Sequence, residues 1–222
     1  RRMYAIVAPA ITGQFGATMN YGKIRNSIKK LGFVDMIEAA LGADAVTVHE
    51  SNEFIERMEN GDKYMTNSCC PGFLSFIEKT VSTEAGKISG TVSPMVATAK
   101  YIKAQDPEAK IVFIGPCTAK KMEIQKDSVK PYVDSVITFE ELQALFDSRD
   151  IDLETLDLTP LDNASYFGRI FARSGGLADA VKQALFEQNI DFELKPISCD
   201  GIEECKMALL RANKGVLPNN FI

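Results

Sequence analysis

Five cysteines in 222 residues fall as an adjacent pair, Cys69 and Cys70, a single Cys117, and a spaced pair, Cys199 and Cys205. An odd count in a chain this long does not suit a secreted disulfide framework, whereas reduced thiols that bind metal or do redox chemistry fit. The sharpest local signal is Thr66-Asn67-Ser68-Cys69-Cys70-Pro71-Gly72-Phe73. Pro71 suits the first position of a helix, where its missing N–H would be unpaired anyway. Cys70 then sits at the N-cap, facing backbone N–H groups and the positive end of the helix dipole. That setting suits a thiolate, the form that binds iron. Cys69 must point elsewhere, so the two thiols have different jobs. The alternative is a pair of small buried side chains.

Two further turns carry similar punctuation. Gly115-Pro116-Cys117-Thr118-Ala119-Lys120-Lys121-Met122-Glu123 follows a strand-like run, which places it at a sheet's carboxyl edge, where α/β proteins put their sites. Cys117, Lys120 and Glu123 there offer a metal ligand, a fixed cation and a proton carrier, although Lys120 and Glu123 also read as a solvated helical pair. Ser93-Pro94-Met95 repeats the pattern of a good N-cap followed by a good first helical residue. Glu50 and Glu53 share a helix start and could pass protons, or could form a solvated acidic turn. Cys199 and Cys205 could form a local disulfide, serve as substitute ligands or remain reduced in the core. His49 reads as structural, at a strand end.

The elements that must hold these groups alternate strand and helix. Strands are expected at 4–8, 45–48, 110–114, 135–137 and 192–194. Helices are expected from Lys23 to Leu31 with Gly32 past the end, from Ser51 through Met58, and from Thr138, whose Glu141 completes a capping box, through Phe146. Gly175-Gly176 opens another, and the last holds Ile202, Met207, Leu209 and Leu210. Such alternation argues an α/β fold with largely parallel sheets flanked by helices. The similar order of elements in the two halves suggests two lobes facing a cleft. The polar, proline-containing stretch 105–108 is the expected boundary, giving lobes 1–105 and 106–222.

The cysteine pair, the Ser93-Pro94-Met95 segment and the Pro116-Cys117-x-x-Lys120-x-x-Glu123 segment, in this order, resemble the three successive signatures of the [FeFe], or iron-only, hydrogenase large subunit. Ala8-Pro9-Ala10, Lys30-Leu31-Gly32-Phe33, Ala43-Asp44, Glu50, Glu53 and Phe171 before Ser174-Gly175-Gly176 extend the likeness over nearly the whole chain. The resemblance implies a C-terminal catalytic domain that reversibly reduces protons to H2. It also implies a [4Fe-4S] cubane linked to a two-iron centre carrying CO, cyanide and a dithiolate. Cys70 and Cys117 match the first two cubane ligands. Cys69 matches the proton-relay thiol, with Ser89, Glu50 and Glu53 leading outward and Glu123 as a second carboxylate. Lys120 matches the lysine that binds an iron-bound cyanide, while Ala8, Pro9, Pro94, Met95, Gly115 and Phe171 match the lining of the two-iron pocket.

The abrupt strand-like start at Arg1-Arg2-Met3-Tyr4 and the uncapped finish at 219–222 read as cuts within a longer protein, and the final motif of the family, of ACxxGC type, is expected just after 215–222. With two of four ligands, the chain alone is expected to be inactive and without its clusters. Gly115 and Met95 depart from the family's most active members, which carry methionine and often glutamine there. A glycine would open space beside the two-iron centre, as in sensory or low-activity branches. An H2 or redox sensor, or an iron–sulfur assembly protein of the same fold, are therefore the rival readings. Electrons are expected from a ferredoxin or attached iron–sulfur domains. A net charge of -5 offers no basic face for nucleic acid. No apolar run approaches the roughly 18 residues of a membrane span, so a cytoplasmic protein is expected.

Overall fold

Four short apolar segments find one another as a parallel sheet. They are β1 (Met3–Val7), β2 (Asp35–Glu38), β3 (Lys110–Ile114) and β4 (Ser135–Ile137), in the order β2-β1-β3-β4. The pairings β1–β2, β1–β3 and β3–β4 are all parallel, with Ile6 opposite both Ile37 and Phe113. The structure is a computed structural model and describes residues 2–16, 20–217 and 219–222. Arg1 and Pro218, which belong to the opening and closing segments read above, lie outside the described residues.

Strand order reverses direction between β1 and β3, and open α/β sheets place ligands at the carboxyl ends of strands at such a switch. The chain leaving β1 is Ala8-Pro9, and the chain leaving β3 is Gly115-Pro116-Cys117. The pairing continues into both turns: the Ala8 N–H donates to the Ile114 carbonyl at 2.8 Å, and the Gly115 N–H to the Ile137 carbonyl at 3.1 Å.

Helices cover the sheet for reasons visible in their ends. α1 (Tyr21–Lys30) is capped by Asn20, whose side chain accepts from the Lys23 N–H, and Gly32 follows it with φ of 100°. α6 (Phe139–Asp147) carries the expected capping box, Thr138 and Glu141 each accepting from the other's backbone N–H. α4 (Pro94–Gln105) starts on its proline and buries Met95, Val96, Ala99 and Ile102 in the sheet's core.

The chain forms two compact units, Arg1–Gly42 with Pro94–Ser165, and Ala43–Ser93 with Tyr166–Ile222. The boundary expected at 105/106 instead falls inside the first unit, in the turn between α4 and β3. The reason is the sheet: β3 and β4 must return to β1, so residues 43–93 of the second unit are inserted between sheet-forming stretches. The first unit holds the parallel sheet flanked by helices. In the second, pairing among the described residues is confined to isolated parallel bridges, such as Thr66 with Ile88 and Lys195 with Phe221.

Two of the expected strands adopt other conformations. Residues 45–48 belong to α2 (Ala39–Glu59), which also absorbs His49 and the helix start expected at Ser51. Val46 and Val48 favour extended backbone locally, but Ala39, Ala43, Val46 and Glu50 recur at helical spacing and are all buried. Thr47 and Ser51 return their hydroxyls to the Ala43 and Val48 carbonyls. The strand needed beside β1 is the unremarked Asp35–Glu38. Residues 192–194 form a turn, with the Leu194 N–H on the Phe192 carbonyl, and pack Phe192 and Leu194 against Phe54 and Val181.

Candidate active site

In the second unit, α2 presents Glu50 and Glu53 toward a turn containing Ser89. Glu53 is saturated with donors. It accepts from Ser89 Oγ at 2.7 Å, the Gly90 N–H at 2.9 Å, Thr91 Oγ1 at 3.2 Å and Arg57 Nε at 2.8 Å. Burial would raise its pKa, but the Gly90, Ser89 and Arg57 hydrogen bonds and the Arg57 charge outweigh it, holding the carboxyl below the usual range. Arg57 was not singled out in the sequence. Its signal was there, since a glutamate four residues before an arginine on one helix face forms an ion pair.

Glu50 is the opposite case. It has no exposed surface, and neither carboxyl oxygen has a partner in hydrogen-bond geometry. Ser89 and the Ser68 backbone lie near enough to favour its anion, but the one hydroxyl proton of Ser89 is committed to Glu53. Burial dominates, the negative Glu53 adds to it, and the carboxyl is pushed up to about 7. The pair is thus not a solvated acidic turn. One member is held ionised and the other poised to take or release a proton near neutrality.

Beside them, Cys69 and Phe171 pack on the cluster of Phe54, Met58 and Leu177. Cys69 Sγ lies 3.6 Å from Asn67 Oδ1. Cys70, one residue on, is exposed and caps α3 (Pro71–Thr80), its sulfur accepting from the Phe73 N–H at 3.4 Å. The two adjacent thiols therefore face different surroundings, as their sequence positions require. Cys199 and Cys205, just before and within the first turns of α9 (Ile202–Asn213), are near enough for each thiol to influence the other's titration. Burial raises both pKa values, that of Cys205 to about 11, with Cys199 and then Cys70 adding to the effect. No sequence pattern announces that Cys205 feels the charge of Cys70. None of the five cysteines is in a disulfide.

In the first unit, Cys117 is half-buried in the turn after β3, its carbonyl accepting from the Lys120 N–H at 3.2 Å. Lys120 and Glu123 lie on α5 (Ala119–Glu123). Lys120 Nζ is 2.7 Å from Glu123 Oε2, with side-chain exposures of 12% and 9%. The solvated reading of this pair is therefore set aside, since a buried ammonium–carboxylate pair is one the fold must hold in place. The ammonium also lies 5.9 Å from the centre of the Phe113 ring.

Gly115 departs from the space-opening role expected for it. A Cβ there would come within 2.7 Å of Phe113 Cε1 and 3.3 Å of the Ala8 methyl, so the ring and the methyl already occupy that room. Gly115→Ala is accordingly expected to lower stability by about 1–3 kcal/mol through overpacking. Adding Phe113→Leu should recover part of the loss in thermal unfolding. An unchanged midpoint in the single variant would show that the ring moves without cost. Met95, matched to the pocket lining, is 1% exposed and packs in the sheet's core.

A family model described as the iron only hydrogenase large subunit, C-terminal domain, matches residues 1–222. The chain belongs to the iron-only hydrogenase large-subunit family. It is 28% identical over 240 residues to iron hydrogenase 1 of Clostridium pasteurianum, a match covering 94% of this chain and 42% of that protein. It is 24% identical over 177 residues to the cytosolic Fe-S cluster assembly factor NAR1 of Kluyveromyces lactis, covering 74% of this chain and 38% of that one. It thus spans less than half the length of these curated relatives. A variant of [FeFe]-hydrogenase HydA1 from Chlamydomonas reinhardtii superimposes with a TM-score of 0.82 at 19% identity, covering 100% of this chain and 76% of that one. That likeness establishes the fold. Among the described residues, no helix is long and apolar enough to cross a membrane.

The thiols suit the iron–sulfur cofactors of this family in their chemistry. Cys70 is exposed on a helix cap and Cys117 half-buried in a strand-end turn, each a soft donor that iron accepts.

Proposed function

We propose that this domain carries out reversible proton reduction to H2 in the protein that contains it. The observation that carries the reading is Glu50, a partnerless buried carboxyl pushed to about 7 beside a Glu53 held ionised. A fold bent only on stability would not bury an unmatched carboxyl, and titration near operating pH is what a proton carrier needs. Cys70 and Cys117 would hold the cubane, and Lys120 would bind a cyanide of the two-iron centre. That centre, when bound, would supply the place where protons and electrons combine to H2.

The chain's own residues deliver the proton. Ser89 donates to Glu53, and rotation of its hydroxyl would redirect that proton toward Glu50. Glu50 lies beside the Ser68 backbone, next in sequence to Cys69, and Cys69 would pass the proton inward. Glu123, paired with Lys120, fixes the ammonium's position. Electrons would come from a ferredoxin or attached iron–sulfur domains.

The likeness to an iron–sulfur assembly factor favours one rival, a non-catalytic member of the same fold. Hydrogen isotope exchange separates the two. The full-length protein with its clusters loaded, incubated under D2 in H2O, is expected to form HD continuously. No HD formation from protein whose iron content shows intact clusters would refute catalysis and favour the assembly role.

A further inference from the structure

The proton path and the two matched ligands leave one pair of chemically active side chains unused, Cys199 and Cys205. They are brought together by a particular turn. Gly201 lies between them at φ 87° and ψ 165°, a conformation essentially confined to glycine. The chain doubles back there into α9, so that Cys205, in its first turns, returns toward Cys199. The turn is pinned twice, by the Asp200 N–H on Glu204 Oε2 at 2.8 Å and by the Cys205 N–H on the Gly201 carbonyl at 3.2 Å. α9 is anchored in turn by Leu209 and Ala212, buried with Tyr64, Ile77 and Phe221. Both thiols keep some exposure to solvent.

We propose that Cys199 and Cys205 form a reversible dithiol–disulfide site that exchanges with small-molecule disulfides. In the first step the thiolate of one cysteine attacks a sulfur of the small disulfide, forming a mixed disulfide and releasing one thiol. The neighbouring cysteine then attacks the protein sulfur of that mixed bond, closing the Cys199–Cys205 disulfide and releasing the second thiol. The protein pair loses two electrons and the small disulfide gains them. The two protons from the cysteines end on the two released thiols. Two thiols carried on one pinned turn make the second step faster than diffusion of a second reagent could. The site stands whether or not Cys70 holds iron, and Cys70, whose charge is felt at Cys205, is the competing partner to exclude.

The test is cross-link mapping after exposure of the purified chain to oxidised glutathione, with acid quench and alkylation. A glutamate-specific protease cuts after Glu203 and Glu204, between the two cysteines. The Cys199 and Cys205 peptides are expected to appear joined, lighter than their sum by a pair of hydrogen atoms, and to separate with dithiothreitol. Cys199→Ser and Cys205→Ser should each retain one glutathione on the remaining thiol. The wild-type map needs no variant, so a misfolded variant does not spoil it. Glutathione on both cysteines without a link, a link from either to Cys70, or no reaction would each overturn the proposal.

Discussion

Glu50→Gln is expected to slow H2 turnover by about a hundredfold or more in the cluster-loaded parent protein while making the domain more stable at pH 8. The rate follows from losing a positioned proton carrier, which contributes roughly 10²–10⁴-fold. The stability follows from linkage. The carboxyl is pushed from an ordinary 4.5 to about 7 by burial, with Glu53 adding. At pH below 4.5 it is protonated whether the chain is folded or not and costs nothing. As pH rises from 4.5 to 7, the unfolded chain releases this proton and the folded one keeps it, so stability falls. Above 7 the loss is complete and amounts to roughly 3 kcal/mol.

A glutamine does not titrate, so the variant gains this amount at pH 8, less about 1–2 kcal/mol for an imperfectly matched amide in the same place. Near pH 5 the gain should be mostly gone. Denaturant unfolding at the two pH values reads the stability, and methyl-viologen-driven H2 evolution reads the rate. A residue kept for structure would lose stability on substitution, and a residue kept for function at the fold's expense gains it. A variant less stable than the parent at pH 8, with undiminished turnover, would remove Glu50 from the proton path.

Local signals served well where one residue's chemistry decides its backbone. Pro71 and Pro94 mark helix starts, Cys70 is an N-cap, Thr138 and Glu141 box one helix, and Gly32 ends another. They failed where tertiary contacts decide. The β-branched residues at 45–48 lie inside a long helix, because the helical spacing of its buried side chains outweighs their local preference. Asp35–Glu38 does not stand out in the sequence because its two charged ends hide a strand that pairs with β1 along its whole length. At the site, residue types were legible and environments were not. Glu50 and Glu53 have the same side chain on the same helix, and only packing tells that one is saturated with donors and the other has none. In the same way, Phe113 fills the room that Gly115 alone suggests is open.

Cys69→Ala should cut proton turnover by about a hundredfold or more, with no loss of iron, whereas Cys70→Ala should lose the cubane. The two thiols are neighbours in sequence, so a nonspecific disturbance of the turn would affect both functions in both variants. Their settings argue otherwise. Cys70 is exposed and its sulfur accepts a backbone N–H at the head of α3, a setting that leaves the sulfur accessible to iron. Cys69 Sγ points to Asn67 and packs with Phe171 on an apolar cluster. A half-buried thiol there can donate and recover one proton, which a methyl group cannot do.

The apolar contacts survive replacement by alanine in part, so the stability cost is expected to stay within about 1–2 kcal/mol. Iron and sulfide analysis, the cubane's electron paramagnetic signal and H2 evolution together decide the matter. Equal loss of iron in both variants would show that Cys69 shapes the ligand turn. Full turnover in Cys69→Ala would show that the proton reaches the metal by another route, and Glu50, Ser89 and Glu53 would then need another explanation for their arrangement.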